Sequence, residues 1–185
     1  MPLEPQRDHP AALIAALLWR DDDARERART GLTEALGPVQ LEGPPYDFTA
    51  FTRYYEDEMG PGLTKQLLWF ERPVAADRLA GIKTRTLALE RALARPDGDR
   101  LQRRVNIDPG LVSVDSLVLA TTKPSGHRIG IAPGLYGEIT LLYERGRYRP
   151  MPWTYRDFRT DAAQDFLKQI REHLLAQRAP RPPSP

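Results

Sequence analysis

Ala11 to Trp19 is the longest unbroken apolar run in the chain, and the elements around it can be read from where apolar residues recur. Periodicity alone does not assign such a run. Its length, and the acidic cap signal just after it, predict a buried central strand. Ala24, Ala28, Leu32 and Leu36 then recur every four residues, between Asp21-Asp22-Asp23 and Gly37-Pro38. This predicts an amphipathic helix capped by one of the aspartates and ended by the glycine. Val39 to Leu41 begins a strand that Gly43-Pro44-Pro45 interrupts and Phe48 to Tyr55 continues, and Leu63 to Phe70 returns antiparallel to it. Leu79, Ile82, Thr86, Leu89 and Leu93 predict a second helix, ended by the turn Pro96-Asp97-Gly98-Asp99. Leu101 to Ile107 supplies another strand, which Pro109-Gly110 should break sharply.

That order is βαββαβ, the succession of a ferredoxin-like unit. Leu117 to Thr122, His127 to Ile131 and Leu135 to Tyr143 extend the sheet, and Gly146 closes a turn before Arg147 to Met151 pairs again. Thr160 or Asp161 caps a last helix that buries Phe166, Leu167, Ile170 and Leu174. The expected fold class is α+β: a mostly antiparallel sheet with a ferredoxin-like start, further antiparallel strands, helices packed on one face and a C-terminal helix. Residues 11–178 form one domain, with a flexible arm at 1–10 and a proline-rich disordered tail at 179–185.

Composition narrows the function classes. None of the 185 residues is cysteine, so no disulfide framework and no thiolate chemistry is available, which suits a cytoplasmic protein. The apolar run is too short to cross a bilayer as a helix. With 27 basic and 25 acidic residues, the net charge of +2 gives no concentrated basic stripe, which argues against nucleic acid as partner. The phosphate-binding Gly-x-x-x-x-Gly-Lys-Ser/Thr loop, the Gly-x-Gly-x-x-Gly turn and the Gly-x-Ser-x-Gly elbow are all absent.

Candidate chemistry gathers between Arg104 and Tyr143. Strand alternation sets Asn106 and Asp108 opposite Val105 and Ile107, and puts Glu138 on one face with Tyr136, Thr140 and Leu142. A carboxylate in mid-strand is uncommon unless it is paired or its face is wet. If the strands are neighbours, Asn106, Asp108, Lys123, His127, Arg128 and Glu138 line one surface. Lys123 and Arg128 suit a small anionic or phosphorylated ligand. His127 or Glu138 would be the acid or base, with Asp108 orienting. Asp108, His127 and Glu138 could instead hold a metal, or the whole cluster could be a structural salt-bridge network in a non-catalytic assembly or adaptor protein. Tyr54 to Gly60 is an acidic, tyrosine-bearing loop, with Tyr55 and Glu58 as further candidates. Trp153 to Phe158 plugs a core edge or offers a stacking surface.

With these residues in view, the chain resembles an uncharacterised bacterial family, domain of unknown function 4416. The resemblance runs from about Ala11 to Leu175. It rests on Thr52-x-Tyr54-Tyr55-x-x-Glu58-Met59-Gly60, Lys83 and Glu90 on the second helix, Asn106-Ile107-Asp108-Pro109-Gly110, Leu119-Ala120-Thr121-Thr122-Lys123, His127-Arg128-Ile129, Gly134-x-Tyr136-x-Glu138 and Trp153-Thr154-Tyr155-x-Asp157. Leu111, Gly130 and Phe158 depart from the family's pattern. The resemblance implies no activity or cofactor, and it adds Lys83 to the candidate ligand-binding residues, alongside Tyr136.

Overall fold

In the computed structural model, which describes residues 10–178, the apolar run forms strand β1 (Ala12–Trp19) at the centre of the sheet. Its neighbours are β4 (Thr64–Phe70) and β7 (Val105–Val112), both antiparallel to it. Alternate side chains of β1 meet different layers, so both sets are apolar. Leu13, Ala15, Leu17 and Trp19 pack against α1 (Asp22–Leu36) and α3 (Leu79–Leu93). Ala12, Ile14 and Ala16 pack against α4 (Asp161–Arg178) on the opposite face. A strand covered twice reads as a continuous run rather than as an alternation. Two helices therefore share one face, as expected, and the C-terminal helix closes the other.

The caps follow the sequence. Asp21 accepts from the Ala24 amide at 2.9 Å and opens α1, and Gly37, at φ 100°, ends it. Thr160 rather than Asp161 accepts the Ala163 amide at the start of α4.

Beyond β7 the sheet continues through β8 (Ser116–Thr121), β10 (Leu135–Glu144) and β11 (Arg147–Pro150). β9 (Arg128–Ala132) pairs with β10. On the other side of β1, β2 (Val39–Glu42) and the short β3 (Tyr46–Asp47) both pair with β4. All named pairs are antiparallel, and the path reads β11-β10-β8-β7-β1-β4-β2.

Three segments differ from expectation. Phe48 to Tyr55 is not a strand; it is a series of turns leading into α2 (Glu56–Met59). Side chains compete there for backbone donors: Asp47 accepts the Thr49 amide at 2.8 Å and Thr49 accepts the Leu63 amide at 3.2 Å. The stretch from Leu101 splits, because β6 (Arg100–Gln102) folds back on β5 (Arg95–Asp97) as an exposed hairpin before β7 begins. Pro109-Gly110 does not break β7, which runs through to Val112. The arm and tail predicted at the chain ends lie outside the described residues, apart from Pro10. Among the described residues no helix is long and apolar enough to cross a membrane.

Candidate functional site

The proline leaves β7 intact and interrupts its pairing with the neighbour instead. β7 and β8 pair at Gly110 with Leu119, Leu111 with Val118 and Val112 with Leu117, and there the ladder stops. The same register carried on would set Asp108 opposite Thr121 and Asn106 opposite Lys123. A proline has no amide hydrogen to donate. Ile107, two residues earlier, directs its amide and carbonyl away from β1, so Pro109 would direct its own missing donor to the same side. The ladder begins only beyond it, and a gap opens between the strands.

Helix α3 fills the edge of that gap. The Ile107 amide donates to Glu90 Oε1 at 2.9 Å, and Lys83 Nζ donates to the Ile107 carbonyl at 2.8 Å. A buried backbone group without a partner costs about 1–3 kcal/mol. Two side chains from a helix here do the work of a neighbouring strand. Lys83, buried on α3, also donates to Asp108 Oδ1 at 3.0 Å and lies 3.9 Å from Glu90. Asn106 donates to Asp108 Oδ2 at 2.8 Å and accepts from Arg103 at 2.6 Å. Arg103 reaches Glu58 at 3.1 Å and Glu90 at 3.6 Å.

The two carboxyls beside Lys83 are driven apart. Burial pushes both up. At Asp108 the charges of Lys83 and Lys65, with the hydrogen bonds from Lys83 and Asn106, outweigh burial and hold it below the ordinary aspartate value. At Glu90 burial wins over Lys83, Arg103 and the Ile107 amide, and the carboxyl stays above the ordinary glutamate value.

Glu138 forms the opposite wall. Its Oε2 accepts from Arg128 Nε at 2.7 Å and from His127 Nε2 at 3.0 Å. With Nε2 donating, Nδ1 of a neutral ring accepts the Ser125 hydroxyl at 2.9 Å. Arg128 also donates to the Lys123 carbonyl and the Tyr155 hydroxyl. Glu138 Oε1 is buried and has no partner among the described residues.

The cavity between these walls has a volume of about 50 Å³. Of the residues expected from sequence, Asn106, Asp108, Lys123, Arg128, Glu138, Tyr55 and Lys83 all line it. His127 does not line it and stands behind Glu138. Glu58 sits one contact further out, on Arg103. Tyr136 lines neither this cavity nor the one beside it. Asp108 and Glu138 share a face, since their cross-strand partners Ala16 and Leu119 lie in one core cluster. Past Glu138 the expected alternation fails: a bulge between Ile139 and Leu141 returns Leu141 to that same core. Asp108, His127 and Glu138 do not form a metal-binding set, and no other group of three such ligands occurs among the described residues. Asp108 is engaged instead by Lys83 and Asn106.

Glu90 and Tyr155, which carry the resemblance, and Arg103 are not among the candidate site residues expected from sequence, yet they line the cavity. Glu90 lies four residues after Thr86 on the buried stripe of α3, and a charge on a buried stripe is the signal that could have found it.

A second cavity, lined by the Phe48–Tyr55 turns and the Trp153–Asp157 segment, adjoins the first. Tyr55, Lys123 and Tyr155 border both and form the neck between them. All three are donors. Lys123 Nζ lies 4.0 Å from the Tyr54 ring centre, donates to the Tyr54 hydroxyl, and has no acidic partner among the described residues. Burial raises both phenols, reinforced by Asp108 at Tyr55 and by Glu138 at Tyr155, so each keeps its proton at neutral pH.

The family described as Domain of unknown function (DUF4416) matches residues 9–174. The chain belongs to this family. No curated protein and no solved structure matches it. The motifs that carry the resemblance can be placed in this chain: the Asn-Ile-Asp-Pro-Gly segment forms the interrupted ladder, and Lys83, Lys123, Arg128 and Glu138 line the cavity beside it.

Proposed function

We propose that the chain binds a small anion that also carries a hydroxyl or amino group. The anionic part sits at the neck, facing Lys123, Tyr55 and Tyr155. The hydroxyl or amino group points inward and donates to Glu138 Oε1. The observation that carries this reading is the neck itself: every residue shared by the two cavities is a donor, and one is a cation without an acidic partner among the described residues. Arg128, expected to hold the anion, is committed to Glu138 and serves as a positioning residue. Any proton transfer falls to Glu138, whose free oxygen meets the ligand's donor. The order β7-β1-β4-β2, with α1 and α3 on one face, supports reading the first half as ferredoxin-like, and the cysteine-free composition supports a cytoplasmic setting.

The test is a thermal-shift series with inorganic phosphate, glycerol 3-phosphate, hydroxy acids, nucleotides and divalent cations. A bound ligand at a hundred times its Kd should raise Tm by about 5–10 °C for a chain of this size. Lys123→Ala should remove the shift for every anion. Glu138→Gln should reduce the advantage of glycerol 3-phosphate over inorganic phosphate. Absence of any shift, or an equal shift in Lys123→Ala, rejects the reading.

A second reading has its own observation. Ile129 and Ile131 on β9 and Ile139 on β10 are exposed side by side, with Ile129 at 69%. Such a patch suits a protein–protein contact in an assembly role. Sedimentation of the chain and of Ile129→Glu tests it: a self-associating chain turned monomeric by the substitution favours an assembly role, and a chain monomeric in both forms removes self-association.

A further inference from the structure

The two cavities differ about tenfold in room, which says which part of a ligand each can take. The inner one, at about 50 Å³, admits a group of a few atoms. The outer one, at about 580 Å³, lies within the range of about 300–1,000 Å³ usual for small-molecule sites. Its walls are aromatic: Phe48, Phe51, Tyr54 and Trp153, with Tyr55 and Tyr155 at the neck. Three of these rings are held in orientation by contacts. Trp153 is stacked on His127 at 4.6 Å and 14°, and its Nε1 donates to the Ile139 carbonyl at 2.8 Å. Tyr54 and Tyr55 meet edge to face at 5.0 Å. Ring faces held in this way select flat partners, which stack without losing rotamer freedom.

Asp157 lines the same cavity and is almost completely buried. Its Oδ2 accepts from Lys65 at 2.6 Å and from the Tyr46 hydroxyl at 2.9 Å. Its Oδ1 has no partner among the described residues. Leaving a buried carboxylate oxygen unpartnered is costly, and a donor on the bound molecule relieves that cost.

We infer that the ligand is an aryl or heteroaryl anion: a planar ring body in the outer cavity, an N–H on that ring donating to Asp157 Oδ1, and the acidic group at Lys123. The inference rests on the anion reading above and adds the class of molecule. It also gives a use to the Trp153–Asp157 segment, whose aromatic residues sequence alone left divided between core plug and stacking surface.

Isothermal titration calorimetry with four probes tests it: inorganic phosphate, 1-naphthyl phosphate, indoxyl phosphate and uncharged 1-naphthol. Naphthyl phosphate should bind at least tenfold more tightly than inorganic phosphate, and indoxyl phosphate, which carries a ring N–H, more tightly again. Phe51→Leu keeps an apolar side chain of similar size and removes a ring wall. It should erase most of the naphthyl advantage and leave inorganic phosphate unchanged. Equal affinities for naphthyl and inorganic phosphate would overturn the planar body while leaving the anion reading intact. Naphthol binding as tightly as naphthyl phosphate would overturn the anion reading and keep the planar body. A naphthyl advantage that survives in Phe51→Leu places the ring elsewhere and overturns the outer-cavity assignment.

Discussion

Replacing Lys83 with methionine should destabilise the fold by about 3–5 kcal/mol at neutral pH, the usual cost of leaving a buried charge without its partner. Lys83 supports three groups at once: the Ile107 carbonyl, Asp108 and, more distantly, Glu90. The pH dependence separates charge from packing. Asp108 is held below its ordinary value, so its contribution is present above about pH 4 and is lost as pH falls through the lowered folded value. Glu90 lies above its ordinary value, chiefly through burial, so it opposes folding once pH exceeds the ordinary glutamate range, and removing Lys83 increases that opposition. Both effects act in the same direction. The gap between wild type and Lys83→Met should be widest near pH 7 and should narrow below about pH 4. Urea unfolding at the two pH values measures it, and a gap that does not change with pH would mean that Lys83 acts through packing alone.

The second large effect is expected at Lys65. Its ammonium is buried, 2.6 Å from Asp157 Oδ2 and between the rings of Phe48 and Phe158 at 4.8 and 4.9 Å. Lys65→Met should also cost about 3–5 kcal/mol, since Asp157 would keep only the Tyr46 hydroxyl. Lys65→Met combined with Asp157→Leu should recover most of that loss, because an apolar pair of similar volume replaces a buried ion pair at little net cost. A double variant as unstable as the single one would show that the pair holds the Trp153–Asp157 segment in place by its specific geometry.

The fold was legible wherever one rule governed a segment. The fourfold spacing from Ala24 to Leu36 and the apolar stripe of α4 each had a single reading. The strand expected over Phe48 to Tyr55 failed because β-favouring aromatics were outvoted by Asp47 and Thr49, whose side chains take backbone hydrogens locally. Asn106, Asp108 and Glu138, which line the inner cavity, could be found by alternation, because alternation survives any number of strands provided that no bulge intervenes. The bulge at Thr140 is such a break and carries no sequence mark. The cavity role of Glu90 and Arg103 was not legible for a different reason: nothing in the spacing of α3 says that a strand opposite it lacks a partner. Tyr155 and the outer cavity depend on a segment with no regular structure, where periodicity has nothing to offer.

The interrupted ladder has a consequence for how this protein can change. The frame of the cavity is set by a hydrogen that Pro109 does not have, together with the two α3 side chains that answer Ile107. Lys83 and Glu90 also line the cavity, and the rest of the lining comes largely from the ends of strands and from turns. Frame and the rest of the lining are therefore separate variables: Thr121, Lys123, Tyr155 or the rings around them can be exchanged for other side chains without re-pairing a strand. One backbone can therefore carry different linings, and the residue that fixes that backbone, Pro109, lies in β7 and not in the cavity wall.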